Sequence, residues 1–94
     1  MAPILDLTRK PIRKADFRSD TVDNEVILYF PGGSRFLYLN NTAAILWEQS
    51  SGDLTAAEII EGLQAAFPQN ADQIESDVRE TLQSFIRHGC ITLE

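Results

Sequence analysis

One cysteine, one histidine, one tryptophan and one methionine in 94 residues exclude several functions before any element is placed. Cys90 has no second cysteine to bond, so no disulfide is available within these residues. His88 and Cys90 have no further His or Cys to complete a four-ligand zinc site. Cys90 belongs to the apolar stretch Cys90-Ile91-Thr92-Leu93 and reads as a packed thiol, while His88 reads as a helix C-terminal cation or an exposed residue. There is no phosphate-cradling glycine loop and no nucleophile elbow, because Gly32-Gly33 is too short and follows Pro31, as a turn requires. No apolar run approaches the roughly 18 residues of a membrane span, and no signal-peptide core is visible. The expected location is the cytoplasm, with no membrane partner and no cofactor.

Basic residues are also scarce. Eight Lys and Arg stand against fourteen Asp and Glu, a net charge of −6. The imbalance is concentrated in residues 41–94, which carry two bases and nine acids. The cluster Arg9, Lys10, Arg13, Lys14 and Arg18 is short and lacks interleaved aromatics, so it reads as a solvated arm rather than a nucleic-acid patch. The acids Asp72, Glu75, Asp77 and Glu80 fall on the polar flanks of one helical pattern, where a solvated face is a better account than an acid–base pair.

What is present is a globular composition, 44% hydrophobic and 23% charged, at a length that allows one core. Residues 1–16, with Pro3 and Pro11 and no sustained period, read as a flexible or loosely docked arm, which places the domain at 17–94. A short strand is expected around Phe17 to Thr21, turning through Asp23 and Asn24. The β-branched and aromatic runs Glu25 to Phe30 and Arg35 to Leu39 then form a hairpin across Pro31-Gly32-Gly33-Ser34.

After Asn40 the period changes. Ala43, Leu46 and Trp47 recur at helical spacing, with Asn40 or Asn41 as N-cap and a stop near Ser51 and Gly52. Thr55-Ala56-Ala57-Glu58 is a capping box, followed by the stripe Ala56, Ile59, Ile60, Leu63 and Phe67 up to Pro68. A third helix is expected from about Ala71 to His88, with Ala71, Ile74, Val78, Leu82 and Phe85 on its apolar face and Gly89 as stop. A short strand or extended tail, Cys90 to Leu93, follows. Strands and then helices predict an α+β domain, with the helices on one face of a small antiparallel sheet. Two helices after a hairpin also admit a helix-turn-helix reading, but Thr55 to Phe67 holds no Lys or Arg against two Glu, a poor surface for phosphates.

The pieces Leu39-Asn40-Asn41-Thr42-Ala43, Ile45-Leu46-Trp47-Glu48, Gly52, Leu54-Thr55, Glu58-Ile59, Leu63, Phe67, Asp77-Val78, Leu82, Phe85 and Gly89 through Ile91 together resemble the signature of the PqqD-like family. The resemblance spans roughly residues 25–94. It implies a winged-helix-like fold, a three-stranded antiparallel sheet followed by three helices. It also implies a non-enzymatic module that recognises the leader of a ribosomally made precursor peptide, in pyrroloquinoline quinone (PQQ) or related modified-peptide biosynthesis. In such proteins the leader lies as an extra strand beside the third strand, facing the third helix. Carried onto this chain, that puts Arg35, Phe36, Leu37, Tyr38 and Leu39 on the strand side and Asp77, Val78, Thr81, Leu82 and Phe85 opposite. Phe36, Tyr38 and Thr81 are the expected direct contacts; the aliphatic residues and Phe85 double as core.

An exposed strand edge suits this use, because peptide addition draws affinity from main-chain hydrogen bonds and needs no catalytic residue. The implied partners are the precursor peptide and a radical-SAM maturase or leader peptidase, with no nucleic acid, and the expected state is a monomer or weak homodimer. A DNA-binding winged-helix regulator and a domain that dimerises through the open edge stay as alternatives.

Overall fold

Over the residues that the computed structural model describes, 5–94, the chain runs β1 (Pro11–Arg13), β2 (Arg18–Val22), β3 (Glu25–Tyr29), β4 (Phe36–Leu39), α1 (Asn41–Gln49), α2 (Ala56–Ala66), α3 (Ala71–Arg87) and β5 (Ile91–Leu93). This is the α+β arrangement expected, with the three-stranded antiparallel sheet in the order β2-β3-β4. Asp23 and Asn24 make its first reversal. Both have positive φ, 51° and 68°, which a two-residue primed turn requires and which Asp and Asn tolerate. Val22 is thereby set opposite Glu25.

The second reversal uses Gly32 and Gly33, at φ 88° and 75°. The Phe30 amide donates to the Arg35 carbonyl at 3.0 Å, and the ladder continues with Tyr29 opposite Phe36 and Leu28 opposite Leu37. Alternation does the rest. Leu28 and Phe30 turn inward and are buried, Leu37 and Leu39 are half-buried beside them, and Phe36 and Tyr38 turn outward.

The helices stop and start where their caps dictate. Asn40 Oδ1 accepts the Ala43 amide at 2.9 Å and opens α1. At α2 the capping box is complete, with Thr55 Oγ1 accepting the Glu58 amide at 3.1 Å and Glu58 Oε1 accepting the Thr55 amide at 2.9 Å. Pro68–Asn70 forms one 3-10 turn before α3. The end of α3 is a Schellman motif: Gly89 has φ 73°, its amide donates to Ile86, and the Cys90 amide donates to Phe85. Ile74, Val78, Leu82 and Phe85 line the buried stripe of α3, and the Phe85 ring meets Trp47 edge-on at 5.7 Å.

One part differs from the sequence reading. Pro11–Arg13, placed there in a flexible or loosely docked arm, pairs antiparallel with β5, with Pro11 opposite Leu93 and Arg13 opposite Ile91. Pro11 is fully buried, and the Arg9 and Leu7 carbonyls accept the Ala56 and Ala57 amides at the start of α2. Arg13 Nη1 donates to the Trp47 and Glu48 carbonyls at 2.8 and 2.6 Å, closing the C-terminus of α1. The physical reason is range. A three-residue strand whose partner lies at the other end of the chain has no local signature, and proline is allowed at the first position of a strand. Pro3, assigned to the same arm, lies outside the described residues.

Candidate functional site

β4 is the last strand of its sheet. Since Phe30 and Arg35 form a hydrogen-bonded pair, Leu37 and Leu39 direct their backbone groups to β3, and by the period of two Phe36 and Tyr38 direct theirs away from it. Among the described residues no strand pairs with that side of β4, so its free amides and carbonyls belong to the two aromatic residues that are 52% and 65% exposed. Those rings meet edge-on at 5.5 Å, and Phe36 also lies 6.4 Å from Tyr29, so the outer face beside the edge is aromatic.

α3 runs alongside this edge in the opposite direction. Phe30, which pairs with Arg35 at the start of β4, has its ring 5.7 Å from His88 at the end of α3. Asn41 and Thr42, just beyond the end of β4, share a concavity with Gln73 and Asp77. Between the two elements lies an open groove of about 330 Å³. Its strand side is Leu37 to Asn40, its helix side is Glu80, Thr81, Ser84 and Arg87, and Phe85 contributes to its floor. These helix residues follow the i, i+4, i+7 stripe that borders the apolar face, which leaves Thr81 and Ser84 half-buried. The Thr81 hydroxyl donates to the Asp77 carbonyl at 2.7 Å, leaving its oxygen free to accept. His88 Nδ1 donates to the Ser84 carbonyl at 2.8 Å.

The residues singled out from sequence are not equivalent. Leu37, Tyr38, Leu39, Thr81 and Phe85 line the groove, and Phe36 stands on the adjacent edge. Arg35 lies at one end with its guanidinium 4.5 Å above the Phe30 ring. Asp77 lies at the other end, in the neighbouring concavity of about 380 Å³ lined also by Ile45, Phe67 and Ile74. Val78 and Leu82 are fully buried in the core and do not line the groove. Glu80, Ser84, Arg87, Asn40 and Ala43 line the groove but do not figure among the residues expected there. For the α3 members the signal was available, since the helical period that selects Thr81 also selects Ser84 and Arg87.

Burial pushes the Cys90 thiol up to about 11, with the Arg35 and Lys14 charges acting in the opposite direction, so the thiol is protonated and unreactive at neutral pH. Among the described residues no three His, Cys, Asp or Glu side chains are grouped to hold a metal ion, and no helix is long and apolar enough to cross a membrane. The groove instead offers a strand edge with free backbone groups, a half-polar helix wall and an aromatic outer face.

A protein-family model described as coenzyme PQQ synthesis protein D (PqqD) matches residues 25–91. No curated protein and no solved structure matches the chain.

Proposed function

We propose that this chain, which belongs to the PqqD family, is a non-catalytic module of PQQ or related modified-peptide biosynthesis that binds the leader of a precursor peptide by strand addition. The observation that carries this reading is the free edge of β4, where among the described residues no further strand pairs with the outward backbone groups of Phe36 and Tyr38 and α3 walls a groove beside them. An incoming extended segment would exchange main-chain hydrogen bonds with those two residues. Its alternate side chains would enter the groove against Thr81 and Ser84 or lie outward beside the Phe36 and Tyr38 rings.

Holding the leader straight leaves the rest of the precursor free for a second protein, a radical-SAM maturase or a leader peptidase, acting in the cytoplasm. In this reading Arg35 and Asp77 mark the ends of the docking segment, and Leu37, Leu39 and Phe85 form its apolar bed. The test is amide exchange by NMR during titration with the leader of the cognate precursor. The Phe36 and Tyr38 amides should become protected on binding while the Leu37 amide, already turned to β3, changes little. Saturating leader that left both edge amides exchanging at the free rate would overturn strand addition here.

A further inference from the structure

The groove is electrically polar along its length. At the end near Asn40 stand Asp77 and Glu80; at the other end stand Arg87 and Arg35. Lys14 stands near that second end, its amide donating at 2.9 Å to the carbonyl of Cys90, three residues beyond Arg87. Glu80 and Arg87 are exposed, and neither takes part in an ion pair among the described residues, whose two salt bridges are Arg9–Asp6 and Arg79–Glu75. Arg87 lies in the last turn of α3, where the negative end of the helix dipole offsets part of its charge. Arg35 and Lys14 restore the positive sign of that end.

From this arrangement we infer that the groove selects extended peptides carrying two opposite charges four residues apart, the base beside Asp77 and Glu80 and the acid beside Arg35 and Arg87. The spacing follows from geometry. Arg87 lies seven helical positions beyond Glu80 and ten beyond Asp77, which at 1.5 Å per residue brackets the charge separation at about 10–15 Å. An added strand covers about 13–14 Å in four residues, and an even spacing keeps both charged side chains on the groove side. Peptides of uniform sign would meet a like charge at one end, and this fixes the register and direction of the docked strand in a way that main-chain bonds alone do not.

The inference rests on strand addition at β4, and the experiment separates the two. A display library of random twelve-residue peptides is enriched on the immobilised protein and, in parallel, on the Glu80→Gln/Arg87→Gln variant, whose substituted positions are exposed. Peptides enriched on the parent should carry an acid and a base at i, i+4, bind about threefold to tenfold more weakly to the variant, and lose that advantage as salt is raised. Enriched peptides that protect the Tyr38 amide but show no charge pairing would overturn this inference and leave strand addition standing. Enrichment of peptides that do not protect that amide, or no enrichment, would overturn both.

Discussion

Replacing Arg13 by alanine asks whether the N-terminal segment is an arm or part of the fold. In the structure Arg13 Nη1 donates to the carbonyls of Trp47 and Glu48 in the last turn of α1, where the Trp47 carbonyl otherwise has only the 3.3 Å bond from the Ser50 amide at the helix cap. Hydrogen bonds from a charged donor are worth about 1.5–3 kcal/mol when sheltered, and a cation at a helix C-terminus adds about 0.3–1 kcal/mol. One of the two bonds is exposed and competes with water, so Arg13→Ala should cost about 1–2 kcal/mol. For a domain of this length that lowers Tm by roughly 5–15 °C. Arg9→Ala is the control, since its ion pair with Asp6 is about half exposed on both sides and should contribute less than about 1 kcal/mol. Calorimetric melting of the parent and both variants reads the difference. If Arg13→Ala melts with Arg9→Ala and the parent, the segment is not docked in solution and the β1–β5 pairing is refuted.

Leu82 is fully buried on the apolar face of α3, so Leu82→Ala should lower unfolding free energy in urea by about 2–5 kcal/mol, whereas the exposed Gln83→Ala should change it by less than about 0.5 kcal/mol. Equal midpoints for the two variants would show that the helix face is misassigned. Cys90 gives a pH dependence. Its thiol is raised in the fold from an ordinary 9.0 to about 11 by burial, so the stability it contributes is full below pH 9 and is lost as pH rises towards 11, by about 2–3 kcal/mol. Cys90→Ala should be less stable at neutral pH but lack this alkaline step, and an identical alkaline loss in both proteins would remove the thiol as its cause.

The parts of the fold that were legible in the sequence are those with local causes. The Thr55–Glu58 capping box, the Asp23-Asn24 reversal and the Gly89 stop each act within a few residues and are where the spacing put them, and of the two asparagines offered as the α1 cap the structure uses Asn40. The register of the second hairpin was legible for the same reason, because a four-residue loop fixes Phe30 opposite Arg35. The β1–β5 pair was not, since its cause is the meeting of two chain ends, and Pro11 locally argues for a loop. At the groove, resemblance pointed to Phe36, Tyr38 and Thr81; Tyr38 and Thr81 line it, and Phe36 stands on the adjacent edge. Glu80 read as a member of a solvated face, and it is exposed; only the packing of α3 along β4 makes it and Arg87 part of a groove wall.

The most direct test of strand addition is leader affinity in proline variants of β4, measured by calorimetry alongside circular dichroism. Phe36 and Tyr38 lend no amide to the hairpin, so Phe36→Pro and Tyr38→Pro should stay folded. Each variant removes one donor worth about 1 kcal/mol and obstructs the incoming strand, which together weaken leader binding by about tenfold or more. Leu37→Pro, whose amide faces β3, should instead break the hairpin. Folded Phe36→Pro and Tyr38→Pro proteins that bind the leader as tightly as the parent would contradict recognition at this edge.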